Sequence, residues 1–130
     1  MRYLLDTHVL LWAANAERHS QISINAGNVL RNTSHELFIS KVSLWEISIK
    51  FSLGKLPNLQ NGTDELFGFA TNNGIRFFNI EQRHLKMLES LPFVHRDPFD
   101  RLLVATALAE DMTLLTSDEN IHRYDVRWDW

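Results

Sequence analysis

Arg2-Tyr3-Leu4-Leu5-Asp6-Thr7-His8 is a short, mostly apolar run that halts at an acid, and Val9 to Ala16 continues with helical periodicity. The same phrase, a strand and then a helix, recurs downstream. Glu36-Leu37-Phe38-Ile39-Ser40 reads as a strand, followed by a helix from Ser43 to Leu53 that Gly54 and Pro57 end. Ile75-Arg76-Phe77-Phe78-Asn79-Ile80 is the clearest strand and leads into a helix from Glu81 to Ser90. Thr113-Leu114-Leu115-Thr116 is another strand, broken at Ser117-Asp118. Further helices are expected over Ser20 to Asn32, over Thr63 to Asn72 with Asn73-Gly74 as the stop, and from Pro98 to about Asp111 with Asp97 as N-cap. Asp125 to Trp130 offers a last short edge strand. Strands separated by helices imply right-handed crossovers and a mostly parallel sheet with helices on both faces, a three-layer α/β/α sandwich. Ligands of such folds sit beyond the carboxyl ends of the strands, where the strand order reverses.

The chain has 130 residues, 45% of them hydrophobic and 22% charged, as expected of one globular domain over 1–130. A chain of this length buries about two thirds of its unfolded surface, so a core forms without disulfides. The sequence has no cysteine, which removes thiol chemistry and cysteine zinc sites and suits a reducing cytoplasm. No apolar run approaches the roughly 20 residues of a membrane span, so a cytoplasmic protein is expected. Thirteen Lys and Arg against 16 Asp and Glu give a net charge of -3, which excludes holding a polyanion by overall charge. A polyanionic substrate would need local help, such as a bound cation.

Two strands end in acids, Asp6 and Asp118, and helix capping is the plain alternative for each. Glu46 shares a helical stripe with Val42, Ile49 and Leu53, which points its carboxylate at the face meant for burial; a surface pair with Lys50 is the alternative. Asp100 shares a face with Leu103, Val104 and Ala107, and Asp97 already supplies the cap of that helix. A first-turn dipole interaction is the other explanation of Asp100. Four acids at one sheet edge would repel one another, and a divalent cation removes the difficulty. Hard oxygen donors without cysteine or a helical histidine pair suit Mg²⁺ or Mn²⁺ rather than zinc.

Leu4-Leu5-Asp6-Thr7-His8, Ser43-Leu44-Trp45-Glu46-Ile47-Ser48, His95-Arg96-Asp97-Pro98-Phe99-Asp100-Arg101-Leu102-Leu103 and Leu115-Thr116-Ser117-Asp118 together resemble the four acidic motifs of PIN-domain ribonucleases, above all the VapC-like toxins of type II toxin-antitoxin modules. The resemblance spans essentially the whole chain. It implies a PIN-like α/β/α fold, endoribonuclease activity on single-stranded or loop RNA dependent on Mg²⁺ or Mn²⁺, and metal-site roles for Asp6, Glu46, Asp100 and Asp118. It further implies supporting hydroxyls at Thr7 and at Thr116 or Ser117, an antitoxin partner, and a homodimer or toxin-antitoxin hetero-oligomer. Asp97 is an additional acid in the third motif, with a capping or supporting role.

Metal at Asp6 and Asp100 would bind a phosphodiester oxygen and acidify water, with Glu46 or Asp118 orienting or deprotonating that water. Arg96 and Arg101 are either phosphate contacts or solvated charges. His95 has an RNA-binding or a structural role, and Trp12 and Trp45 either stack on bases or pack in a core or interface. The competing reading is a phosphate-handling or catalytically inactive RNA- or protein-binding domain of similar architecture. A receiver domain would have an acidic pair after the first strand and a late lysine, whereas Asp6 stands alone and no lysine follows Lys86. A dehalogenase-like phosphatase would carry a second Asp where His8 stands, and Gly54-Lys55 lacks the glycine-rich lead-in of a P-loop.

Overall fold

The computed structural model describes residues 1–130. Five strands form one all-parallel sheet: β1 (Arg2–Leu5), β2 (Glu36–Ser40), β3 (Arg76–Phe78), β4 (Thr113–Leu115) and β5 (Trp128–Asp129), in the order β3-β2-β1-β4-β5. Their side chains alternate between two cores. Leu4, Phe38 and Leu114 point to one face, and Tyr3, Leu5, Ile39 and Leu115 to the other. Both faces are covered, which is why these strands read as continuous apolar runs rather than as alternating ones.

Helices α1 (Thr7–Ala13), α2 (Ile24–Arg31) and α4 (Thr63–Asn72) cover the Tyr3 face through Val9, Leu10, Ala26, Val29, Leu66 and Ala70. Helix α6 (Pro98–Glu110) covers the Leu4 face through Leu103, Val104 and Ala107, with α5 (Gln82–Glu89) packed beside it. Helix α3 (Lys41–Ser52) serves both cores, Val42 in one and Ile47 in the other, and α7 (Glu119–His122) adds Ile121.

The three-layer expectation therefore holds, with differences at particular elements. Ser20 to Asn32 is not one helix. A 3₁₀ turn over Ala16–Gln21 is followed by α2, and Ser23 caps α2 by accepting from the Ala26 N–H at 3.0 Å. The first helix ends at Ala13 rather than Ala16, and the third strand keeps only Arg76–Phe78 of 75–80. Asp97 caps α6 as expected, accepting from the N–H groups of Phe99 and Asp100, with Pro98 at its first position.

Strand β1 lies between β2 and β4. The chain leaves β1 and β2 toward one edge and later returns to the other side of β1, so the strand order reverses there. Everything at the carboxyl end of β1 faces that crevice. Helix α6 feeds β4 and runs against the strand direction, which places its first turn, with Asp100, at the same edge.

Candidate active site

Asp6 follows β1 directly, and its backbone N–H donates to Leu115 O at 3.1 Å, so the carboxylate is carried on the end of the ladder itself. Although Asp6 occupies the N-cap position of α1, its side chain makes no capping bond. Its Oδ2 instead accepts from Thr116 Oγ1 at 2.8 Å, and its buried Oδ1 has no partner. Burial pushes this carboxyl up from its ordinary range and Asp118 adds to the effect, while the Thr116 bond and the His8 charge oppose it.

Glu46 is also buried, at 4% exposure. Its Oε2 accepts from Lys50 Nζ at 2.8 Å, whereas its Oε1 is buried and unpartnered. The stripe that suggested this burial is only partly right. Ile49 and Leu53 are 38% and 62% exposed, and the buried face of α3 runs through Val42, Ser43, Glu46 and Ile47. Lys50 pairing and burial, set against each other in the sequence, hold together.

Asp100 stands in the first turn of α6, and its Oδ2 lies 3.1 Å from His95 Nε2. Its pKa is pushed up to about 8, first by burial and then by the charges of Asp6, Asp97, Asp118 and Glu46. All the acids expected at the site therefore bear on this one carboxyl. Asp118 caps α7, its Oδ1 accepting from the Asn120 N–H at 2.8 Å, so the capping alternative is satisfied at this position. Thr116 ties the two strand-end acids together, because the oxygen that donates to Asp6 also accepts the Asp118 N–H at 3.0 Å. On the other side Thr7 Oγ1 donates to the buried Ser43 Oγ at 2.9 Å, joining α1 to α3. Ser43 opens the second acidic motif but carried no role of its own there, although its spacing of three from Glu46 on one helical face was the available signal.

The residues that flank the third motif divide differently from expectation. Arg101 is neither a phosphate contact nor a solvated charge. It is 7% exposed, donates to Pro92 O and to Tyr124 OH at 2.8 and 3.0 Å, and lies over the Phe93 ring. Arg96 is exposed. Trp45 does not enter a core; it is 58% exposed and edge-on to Phe99. Trp12 is half-buried between His8 and Trp130.

Two orphaned carboxylate oxygens in a buried setting, beside an acid already crowded by its neighbours, fit a hard divalent cation. Ligand atoms of His95, Asp97 and Asp100 lie within 4.8 Å of one another, a closeness that Asp6, Glu46 and Asp118 do not share. The Asp97 carboxylate is engaged as a cap there, which leaves Asp100 as the member common to both groups.

The PIN domain family model matches residues 3–127. The chain belongs to the PIN domain family. No curated protein sequence matches it. Among solved structures, this PIN domain is similar to VapBC2 from Rickettsia felis bound to a DNA fragment from its promoter, with TM-score 0.71 and 18% identity over 99% of this chain and 98% of that one. DNA-bound VapBC from Salmonella typhimurium superposes with TM-score 0.70 at 17% identity, covering 99% of this chain and 97% of that one. A toxin-antitoxin complex from Klebsiella pneumoniae follows with TM-score 0.60, 15% identity, and 98% and 96% coverage. At these identities the likeness is one of fold. The PIN domain has no helix long and apolar enough to cross a membrane.

Proposed function

We propose that this chain, as a single PIN domain over residues 1–130, is the Mg²⁺- or Mn²⁺-dependent endoribonuclease toxin of a cytoplasmic type II toxin-antitoxin pair, acting on single-stranded or loop RNA. The observation that carries the proposal is the pair of buried, unpartnered carboxylate oxygens, Asp6 Oδ1 and Glu46 Oε1, on two residues whose charges both act on the crowded Asp100. Asp6 and Asp100 would hold the cation, with Glu46 and Asp118 completing the acidic set. When bound, the ion supplies Lewis acidity toward a phosphodiester oxygen and lowers the pKa of water. Glu46 or Asp118 would orient the attacking water and accept its proton. Thr116 fixes Asp6, Lys50 fixes Glu46 and His95 fixes Asp100, so the carboxylates are preorganised rather than assembled on binding. Attack by water leaves a 5′-phosphate and a 3′-hydroxyl and makes no use of the ribose 2′-hydroxyl.

The test is cleavage of single-stranded RNA by purified protein with Mg²⁺ or Mn²⁺ against excess EDTA. Asp6→Asn and Asp100→Asn are each expected to lower the rate at least about 100-fold while the circular dichroism spectrum is preserved. Full activity in EDTA, or in both variants, would sink the metal-nuclease reading.

An antitoxin partner is supported by the toxin-antitoxin neighbour and by apolar surface left open. A groove of about 560 Å³ between α2 and α4 is lined by Ile22, Leu30 and Phe69 with Ile24 85% exposed beside them, and Phe93 is 89% exposed. Expression alone should arrest growth, and co-expression of the adjacent small gene should relieve the arrest through a toxin-antitoxin hetero-oligomer. Harmless expression of folded wild-type protein would count against the toxin role.

A further inference from the structure

A second groove, of about 410 Å³, opens between α1 with the turn after it and the segment that leaves α3. We propose that it holds the nucleotides of single-stranded RNA next to the scissile phosphate, with a base stacked on Trp12 and phosphates on Arg18, Lys50 and Lys55. This inference rests on the nuclease reading above.

The groove is not lined by the site acids, but two of its lining residues connect it to them. Lys50 lines it while donating to Glu46, and His8 lines it two residues after Asp6, on whose carboxyl its charge acts. In the proposed complex the strand cut at Asp6 and Asp100 continues past Lys50 and His8 into this groove. The chemistry of the walls suits that strand. Arg18 and Lys55 are exposed and form no ion pair, so two cations stand free in a chain whose net charge is -3. The one acid of the lining, Glu65, is turned to its own loop, where Oε1 accepts from the N–H groups of Gln60 and Asn61 at 3.0 and 3.3 Å. Trp12 is partly buried, held by Trp130 at 5.9 Å and His8 at 5.8 Å, and the part of its ring that stays accessible lines the groove.

An anion with flat rings satisfies both wall types at once, and the volume lies in the range of small-ligand sites. Bases must be unstacked to reach the indole, which selects single strands or loops over duplex. A basic peptide is repelled by the free cations, and an acidic one matches the groove only where it also carries an aromatic side chain for the indole.

The test measures the affinity of a fluorescein-labelled single-stranded RNA of about 12 nucleotides in EDTA, together with Mn²⁺-dependent hydrolysis of RNA and of bis(p-nitrophenyl) phosphate. The small diester reaches the acidic site without filling the groove. Arg18→Ala and Lys55→Ala should each weaken RNA binding about 3- to 10-fold at low salt and lower the salt slope by about 0.7. Trp12→Leu should weaken binding at least about 5-fold, with most of the loss recovered in Trp12→Phe. In every groove variant the ratio of RNA cleavage to small-diester hydrolysis should fall, through KM for RNA. Should Trp12→Leu fail to fold, the two exposed cations still decide the matter. If RNA affinity in the Arg18→Ala, Lys55→Glu double variant stays within about twofold of wild type while RNA is still cleaved, the groove assignment is wrong and the nuclease reading stands. A wild-type protein that hydrolyses neither diester overturns both. Variants that keep RNA affinity but escape inhibition by the antitoxin assign the groove to protein and overturn the proposal.

Discussion

Asp100 carries the electrostatic tension of this molecule. Its carboxyl has an ordinary pKa of 3.8 when unfolded and about 8 in the folded chain, so between those values the folded state binds the extra proton. Folding stability without metal therefore falls as pH rises from about 4 to about 8, and Asp6 shifts in the same direction. Asp100→Asn removes this pH dependence, and Asn still offers an oxygen to His95. In EDTA at pH 7 the variant should melt higher, by on the order of 1 kcal/mol or about 4 °C, and the advantage should vanish near pH 4. A lower melting temperature at pH 7 would mean that the carboxylate makes a bond the fold needs. Thr116→Val tests the neighbouring contact. It should reduce RNA cleavage at least about tenfold by freeing Asp6, at a stability cost of about 1 kcal/mol from the lost hydroxyl bonds. The acids themselves were legible because a carboxylate on an apolar face conflicts with its surroundings. Whether Asp118 caps or coordinates was not, since the same residue type at the same strand end serves either use.

Helix α6 shows what periodicity misses. Residues Arg101 to Ala107 are buried without a break, so no polar stripe marks which side faces solvent, and an arginine among them reads as surface charge. Its start was legible from Asp97-Pro98, because a cap acceptor and a proline at the first position are local chemistry. The partners of Arg101 lie in the loop at Pro92 and in Tyr124, both remote from its own turn, and no local pattern announces them. Arg101→Ala should cost about 2 to 4 kcal/mol, because it strands a carbonyl and a hydroxyl and removes the ring contact with Phe93. Arg101→Lys should recover only part, since one ammonium lacks the planar fork. Urea denaturation of both variants measures this, and a loss below about 0.5 kcal/mol for the alanine would show that the arginine is solvated in solution. The split of 16–31 into a 3₁₀ turn and α2 has a similar origin. Ser23 was a capping signal inside an otherwise helical stretch, and its bond to Ala26 made it the start of a new helix.

Parallel topology gathers the acids of distant motifs at one edge of a chain whose net charge is already -3, so the fold stores repulsion where the proposed cation would bind. Two kinds of salt effect can relieve that repulsion. Screening acts through ionic strength, needs about 0.1 M salt to shorten the Debye length to about 10 Å, and is blind to ion identity. A coordinated ion stabilises by mass action, worth about 2.7 kcal/mol at a hundred times its dissociation constant. Millimolar Mg²⁺ or Mn²⁺ should therefore raise the melting temperature of the wild type by about 10 °C at pH 7.5, whereas NaCl of equal ionic strength should leave it within about 2 °C. The ranking of wild type and Asp100→Asn should reverse on adding the divalent ion, because the variant has less repulsion to lose and a weaker site to fill. Asp97→Asn, which keeps an oxygen to cap α6, should retain most of the metal-induced gain if the Asp97 carboxylate is engaged by the helix rather than by the ion. Equal responses to NaCl and MgCl₂ would reduce the cluster to a screened patch of negative charge and remove the ground for metal at this edge.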